Sequence, residues 1–294
     1  MELVVEFWLR AELRRVLRGA YKRHDEEIAL PHPRNITRET LAVVSSERAL
    51  WLAAPKLDGR RALLVRARVF GDEFVVDLDR KLTPTVLSTR RASRGPDEIR
   101  VVVDAEACGG SYHAHDVFVL GGVQTHTLRF STRLDLVEEA ISELGVAGVV
   151  RKPFVPLGMW AERESRADLP TDGLILAHSA ASATFGSDPW VLKWKPQHKC
   201  TIDLLVERKK CGVHFSRRVA ARTSNGRRAL AEFDAAAFAG TLPCVFEFAM
   251  VGGRWTPLHR REDKATANTE FVVEQTVVAI NEAITVEEII GSPV

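Results

Sequence analysis

The segment Lys56-Leu57-Asp58-Gly59-Arg60-Arg61 decides how the fold of this chain is interpreted. Its lysine follows an apolar run that predicts a strand, its glycine permits a close backbone approach, and a second cation, Arg61, lies five residues after the lysine. By itself the segment is weak evidence for a site, because a solvated lysine at the end of a strand explains it more simply. Its meaning therefore depends on charged residues elsewhere in the chain.

Other predicted strands also end in charged residues. Asp104-Ala105-Glu106 ends one strand, Asp116 lies near the middle of another, and Asp172 belongs to a third acidic strand end. In Leu192-Lys193-Trp194-Lys195-Pro196 the two lysines alternate along a predicted strand, so they are expected to project from one face, which suits an anion. A further charged segment, Arg261-Glu262-Asp263-Lys264, has an asparagine four residues after its lysine.

Hydrophobic periodicity predicts an α+β protein of about two domains. Alternating segments between residues 48 and 120 indicate a mixed sheet, and those after residue 196 are typical of a small barrel. The Ser-, Ala- and Gly-rich segment 179–189 is predicted to be a loop. The predicted strands cover 50–54, 62–70, 73–78, 100–104, 114–120, 171–177, 190–194, 202–206, 212–220 and 244–250, and the predicted helices cover 3–21, 134–144 and 270–283.

Composition and missing motifs exclude several classes of protein. The chain has 294 residues, 46% hydrophobic and 27% charged, which excludes a disordered or fibrous protein. Its four cysteines form no C-x-x-C pair, which argues against a zinc ribbon or a disulfide scaffold, and its formal net charge is only +2. Walker A, H-E-x-x-H and G-x-S-x-G motifs are absent. Without a signal peptide or an apolar run long enough to span a membrane, the chain is expected to be intracellular, in the nucleus, the cytoplasm or a viral factory.

In their order along the chain, the charged segments resemble the motifs of the mRNA capping guanylyltransferases. These enzymes belong to the covalent nucleotidyltransferase superfamily, which also includes ATP-dependent DNA and RNA ligases. The likeness covers about residues 31–268, and its departures include Ala105 in place of a glycine, His115 in place of an aromatic residue and His259 in place of an arginine. The matching segments are K-x-D-G at 56–59, D-G-E at 104–106, aromatic-Asp at 115–116, D-G-L-I at 172–175, L-K-W-K-P at 192–196, T-I-D-F at 201–204 and R-x-D-K-x-x-x-N at 261–268.

The resemblance implies a nucleotidyltransferase domain of mixed sheets with helices (1–198), a small OB-fold barrel domain (199–267) with a cleft between the two, and a C-terminal helix (268–294). It implies Lys56, Lys193, Lys195 and Arg61 as catalytic residues, and Asp172 and Glu106 as metal ligands. A structural role for Asp58 and Asp116 stays open beside the implied one. The nucleotide-binding residues implied are Asp58, Gly59, Glu106, His115, Asp116, Ile175, His259, Arg261, Asp263 and Lys264.

The reaction implied is attack of Lys56 on the α-phosphorus of GTP with Mg²⁺ or Mn²⁺, followed by transfer of GMP from the lysine to a 5′-diphosphate RNA end. Lysine is almost fully protonated at neutral pH, so neighbouring cations, the metal and burial are expected to lower its pKa. Arg261, Asp263 and Lys264 are expected to act on the outer phosphates through domain closure. A separate RNA triphosphatase and a cap methyltransferase are the expected partners. No association with a membrane is expected.

Two alternatives stay open. An ATP-dependent polynucleotide ligase uses the same lysine chemistry, although Asp172, Trp194 and Thr201-Ile202-Asp203 are closer to the capping enzymes than to ligases. The other alternative is a non-catalytic platform of the same fold that binds RNA or protein. The cluster of like charges argues against that platform, because a dead site has no physical need for so many cations.

Overall fold

A computed structural model describes residues 2–17, 30–79, 82–91, 95–160, 170–211, 214–226, 230–234, 236, 238, 242–262 and 264–291. The chain divides into two compact units, Met1–Arg34 with Val43–Trp194, and Asn35–Ala42 with Lys195–Val294. The helices are α1 (Glu2–Val16), α2 (Arg38–Ser46), α3 (Phe130–Asp135), α4 (Val137–Leu144), α5 (Glu270–Glu282) and α6 (Val286–Ile290). The strands are β1 (Pro31–Asn35), β2 (Trp51–Leu57), β3 (Arg60–Val69), β4 (Asp72–Leu78), β5 (Pro84–Arg91), β6 (Glu98–Cys108), β7 (Ser111–Leu120), β8 (Val123–Gln124), β9 (Val149–Arg151), β10 (Val155–Pro156), β11 (Thr171–His178), β12 (Gly186–Trp194), β13 (Thr201–Cys211), β14 (His214–Arg222), β15 (Ala231–Asp234), β16 (Cys244–Val251) and β17 (Arg254–Arg260).

A five-stranded sheet carries the segment that holds the predicted nucleophile. Its strand order is β1-β12-β11-β2-β10, and β11 runs antiparallel to both β2 and β12. The C-terminal ends of β2 and β12 therefore meet the N-terminal end of β11 at one edge of the sheet. That edge holds Lys56, Asp172 and Lys193.

A seven-stranded sheet forms the centre of the first unit, with order β5-β4-β3-β6-β7-β8 and β9 parallel to β7. Successive residues of a strand point to opposite faces, and Leu63 and Leu64 of β3 are both buried because each face is covered. One face packs with Leu9 and Leu13 of α1, and the other packs with α3 and α4. This double coverage explains why the central strands are almost continuously apolar.

The second unit contains a five-stranded antiparallel sheet of order β15-β14-β13-β16-β17. Its core contains Ile202 and Leu204 of β13 and Phe246 and Phe248 of β16, and Val273 of α5 packs against them. Helix α5 begins where the Thr269 hydroxyl accepts a hydrogen bond from the Val272 backbone N–H, a standard N-cap. This sheet occupies the segment for which the sequence predicts the OB-fold.

The predicted α+β class, mixed sheets with helices and a separate OB-like sheet in the C-terminal segment, is confirmed. Each predicted strand and helix overlaps an observed element, although the predicted helix 134–144 covers the end of α3 and all of α4, β12 begins at Gly186, inside the predicted loop 179–189, and α1 ends at Val16. Residues 18–21 of the predicted first helix and residues 212–213 of the predicted strand 212–220 lie outside the described residues. None of the helices in the described part of the chain has the length and apolar character needed to cross a membrane.

Candidate functional site

Lys56 lies near the end of β2, on the same face of the five-stranded sheet as Lys193. The strand register pairs Ala54 with Ile175 and Ile175 with Lys193, and directly opposed residues share a face. Lys56 lies two residues after Ala54 and therefore shares that face. Three predicted site residues, Lys56, Ile175 and Lys193, are thus placed on one surface of the sheet.

The ammonium of Lys56 is held by the carboxylate of Asp172. Lys56 Nζ donates to Asp172 Oδ1 at 2.7 Å, and the two side chains are 20% and 14% exposed. The register of β11 against β2 shifts between Thr171 and Gly173, so Asp172 lies at an irregularity in the ladder. The Lys56 amine could act as a nucleophile only if its contact with Asp172 opened.

Lys193 and Lys195, on either side of Trp194, do not lie in the same strand. β12 ends at Trp194, so Lys193 lies in the strand, whereas Lys195 follows it and belongs to the second unit. Pro196 has no N–H to donate to a ladder, which accounts for the end of the strand before it. The expectation that both lysines lie in one strand is wrong. Trp194 pairs with Leu174 and points away from the face of Lys193.

Asp58 and Gly59 form an exposed turn between β2 and β3. The Asp58 backbone N–H donates to the carbonyl oxygen of Pro170 at 3.0 Å. A Cβ on Gly59 would lie 2.6 Å from the carbonyl oxygen of Ala107 and 3.0 Å from Cγ of Glu106. The close approach that the glycine permits is therefore to strand β6, and it leaves room for the Glu106 side chain.

Replacing Gly59 by alanine is expected to lower the free energy of unfolding by about 2 kcal/mol, because the added methyl group meets a backbone carbonyl that cannot rotate away. The matched control is Gly158→Ala, since a Cβ at Gly158 meets no atom within 4 Å. Urea unfolding of both variants measures the difference. A Gly59→Ala protein as stable as Gly158→Ala contradicts the packing interpretation.

Arg61, Asp104 and His115 form a charged cluster. Arg61 Nε donates to Asp104 Oδ1 at 2.8 Å, its NH2 group contacts Asp104 Oδ2, and its NH1 group donates to the carbonyl oxygen of Pro31 at 2.7 Å. His115 Nε2 lies 3.4 Å from Asp104 Oδ2. Burial opposes ionisation of Asp104, but Arg61 and His115 hold the pKa of its carboxyl well below the ordinary value. Asp104 therefore stays ionised and fixes the two predicted nucleotide ligands.

Glu106 is held by a lysine that the sequence did not single out. Lys152 Nζ donates to Glu106 Oε2 at 2.9 Å, and the two side chains are 4% and 16% exposed. Burial lowers the pKa of the Lys152 ammonium, Glu106 opposes that shift, and the positive charge of Lys56 adds to it. The signal that could have found Lys152 is its position directly after the short apolar strand β9, like that of Lys56 near the end of β2.

Asp116 is bound by a buried arginine. Arg133 of α3 donates to both carboxylate oxygens of Asp116, at 2.7 and 3.0 Å, and the Val117 backbone N–H donates to Oδ1 at 2.8 Å. Arg133 is 3% exposed and Asp116 10% exposed as side chains. These contacts support the structural interpretation of Asp116 that the sequence left open.

Two predicted cations of the second unit, Arg261 and Lys264, form ion pairs with Asp203 of β13. Arg261 NH1 donates to Asp203 Oδ1 at 3.0 Å and contacts Glu247 at 3.3 Å, and Lys264 Nζ contacts Asp203 Oδ2. Asn268 fixes this acceptor, because its side-chain oxygen accepts from the Asp203 backbone N–H at 2.7 Å. The sequence identified Asp203 only as part of a motif, since nothing in its spacing shows which cations fold against it.

His259 and Asp263 complete the set of predicted ligands. His259 is 63% exposed, and its Nε2 lies 3.4 Å from a carboxylate oxygen of Glu247 on the neighbouring strand β16. The histidine is thus placed beside an acidic group and in the same charged cluster as Arg261. Asp263 lies outside the described residues.

The carboxylates of the first unit fit a divalent cation in one particular way. Mg²⁺ is commonly bound by one or two carboxylates together with substrate phosphates and water. Asp172 offers such a carboxylate beside Lys56, whereas Glu106 is held by Lys152. Among the described residues no group of three or more His, Cys, Asp or Glu side chains is arranged to hold a metal ion. A cation bound by Asp172 would share its coordination with the phosphates of a substrate.

No protein-family model matches the chain. Solved structures with a similar fold include a Lig E DNA ligase, which is 14% identical over 79% of this chain and 99% of its own, with a TM-score of 0.38. A mycobacterial DNA ligase D complexed with ATP is 13% identical over 73% of this chain and 90% of its own, with a TM-score of 0.39. The ligase domain of M. tuberculosis LigD is 12% identical over 80% of this chain and 94% of its own, with a TM-score of 0.36. These values describe a weak likeness of fold.

Proposed function

We propose that this protein is a nucleotidyltransferase that carries a nucleoside monophosphate on Lys56. The observation that supports this most directly is the position of the lysine: a partly buried amine at a sheet edge, 2.7 Å from Asp172 and on the face that also bears Lys193. A solvated lysine at a strand end would need neither the burial nor the carboxylate partner. The site therefore favours a reactive amine over a structural one.

The chemistry proposed for Lys56 is an in-line displacement at the α-phosphorus of a nucleoside triphosphate. The Lys56 ammonium first loses a proton to solvent as its contact with Asp172 opens. The neutral amine then forms an N–P bond while the P–O bond to the leaving pyrophosphate breaks, and the new phosphoramidate nitrogen releases its second proton to solvent. A divalent cation held by Asp172 would supply charge neutralisation at the phosphates. Lys193, on the same face, would neutralise charge that develops on the α-phosphate.

The nucleotide proposed for this site is GTP, and the acceptor is a 5′-diphosphate RNA end. This finer assignment rests on the resemblance of Asp172, Trp194 and Thr201-Ile202-Asp203 to the capping guanylyltransferases. Arg61 and Glu106 are proposed to contact the ribose. An RNA triphosphatase would supply the RNA end, and a cap methyltransferase would modify the product.

Labelling with α-³²P nucleotides tests the proposal. The protein is incubated with magnesium or manganese and with labelled GTP or ATP, denatured, and separated by electrophoresis, and the labelled peptide is identified by mass spectrometry. GTP label on Lys56 is the expected result. ATP label on Lys56 would favour a polynucleotide ligase, for which the DNA ligases of similar fold give precedent. Absence of label with both nucleotides contradicts an enzymatic role and favours the non-catalytic platform.

A further inference from the structure

We propose that Lys152 is the positioning residue for Glu106, holding that carboxylate in the orientation in which it accepts a hydrogen bond from the ribose 2′-hydroxyl. The inference deepens the proposed function and rests on it, because it concerns the nucleotide site of the first unit. Lys152 has no part in the sequence motifs described above.

Lys152 is rigidly placed. Its backbone N–H donates to the carbonyl oxygen of Ala114 at 2.7 Å, which continues the pairing of β9 with β7 by one residue. Its side chain is 4% exposed, although an isolated buried ammonium is strongly disfavoured. Such a lysine stays charged only beside an acceptor, and the Glu106 carboxylate at 2.9 Å is that acceptor.

Glu106 is constrained from a second direction as well. Gly59 packs against its stem, since a Cβ on that glycine would lie 3.0 Å from Glu106 Cγ. Across the sheet, Glu106 is directly opposite Arg61 on β3 and His113 on β7. Although Arg61 lies opposite Glu106, its guanidinium donates to Asp104 and to the Pro31 carbonyl oxygen. Among the described residues, the ion pair of Glu106 is the one with Lys152.

A carboxylate fixed in this way is a better acceptor than a free one. Fixing the rotamers of a glutamate during binding opposes binding by up to about 2 kcal/mol, and Lys152 removes that penalty before the nucleotide arrives. Glu106 can then accept from a neutral hydroxyl, a charge-assisted hydrogen bond that the 2′-deoxy sugar cannot donate. The expected consequence is discrimination between ribonucleotides and 2′-deoxyribonucleotides that depends on Lys152 as much as on Glu106.

The test compares wild type, Lys152→Met, Glu106→Gln and the double variant in equilibrium binding of GTP and 2′-deoxy-GTP, or of the adenine pair if labelling selects ATP. Wild type is expected to bind the ribonucleotide about tenfold tighter or more. Both single variants should lose most of that ratio, and the double variant should lose no more than Glu106→Gln alone. Arg66→Met, which breaks the 2.9 Å pair with Glu73 in the same sheet, is the matched control and should keep the wild-type ratio.

Thermal unfolding of the same set covers the possibility that Lys152→Met folds poorly. Breaking the pair from one side should lower the unfolding midpoint by about 6 °C, whereas the double variant, which leaves no unpaired charge, should recover most of the loss. If Lys152→Met is unfolded, Glu106→Gln is compared with the double variant, and equal discrimination in the two supports the proposal.

Three results overturn it. They are an unchanged ribose preference in folded Lys152→Met, losses from the two single variants that multiply in the double variant, and no ribose preference in wild type. The proposed function fails separately, through absence of a covalent adduct. A protein that forms the adduct but keeps its ribose preference in Lys152→Met therefore refutes only the role of Lys152. A protein without the adduct that loses its preference refutes only the transferase.

Discussion

Replacing Lys56 by methionine or by arginine is expected to reduce covalent nucleotide labelling by at least about 10³-fold, to the limit of detection. Methionine preserves the apolar stem but removes the amine. Arginine preserves the positive charge beside Asp172, yet its guanidinium stays protonated at every relevant pH and cannot act as the nucleophile. Loss of label in both variants would show that the reactive amine, and not the charge, is required. The measurement is single-turnover labelling with α-³²P nucleotide.

The control for this experiment is Lys199→Met, which removes an exposed lysine from the short turn Gln197–Lys199. It should label at the wild-type rate. Lys56→Arg should still bind the triphosphate, since Arg61 and Lys193 remain, so its defect should lie in the chemical step. Label that persists in Lys56→Met, or that maps to another lysine, would contradict the proposed nucleophile.

The sequence was sufficient to locate the strand that carries Lys56, because the pattern involved is local. It did not identify the sheet, since β2 pairs with β10 and β11 and not with the other strands of residues 48–120. An apolar strand followed by a charged turn with glycine fixes where β2 ends, and alternation along β12 fixes the face of Lys193. The central strands were found for the same reason, since strands covered on both faces are almost continuously apolar. Two of the elements that the sequence did not predict are edge strands. β5 is largely exposed, and β17 contains Pro257 at a shift in register, so neither shows the expected alternation.

The partners of the charged residues could not be read from the sequence, because they depend on contacts distant along the chain. Lys152 and Glu106 are 46 residues apart, and Asp203 and Lys264 are 61 apart. Spacing shows that a residue is charged and at a strand end, but not which opposite charge folds against it. Lys195 shows that strand ends are also hard to predict from alternation alone. β12 ends at Trp194, two residues before Pro196, so Lys195 lies outside the strand.

Replacing Arg133 by methionine is expected to destabilise the protein by about 3–5 kcal/mol, and to lower its unfolding midpoint by about 6–10 °C. The substitution leaves the Asp116 carboxylate buried without the two hydrogen bonds, at 2.7 and 3.0 Å, that the guanidinium donates. It also removes the hydrogen bond to the Leu128 carbonyl and the contact of the guanidinium with the Phe130 ring. The measurement is thermal or urea unfolding.

The result decides between the two interpretations of Asp116. If Asp116 is structural, adding Asp116→Asn to Arg133→Met should recover part of the stability, because the unpaired charge is removed, and nucleotide labelling of the folded double variant should stay within about threefold of wild type. If Asp116 instead contacts the nucleotide, Asp116→Asn should depress labelling strongly while changing stability little. A stable Arg133→Met protein would show that the buried pair contributes nothing to the fold, and would return Asp116 to the set of candidate nucleotide ligands.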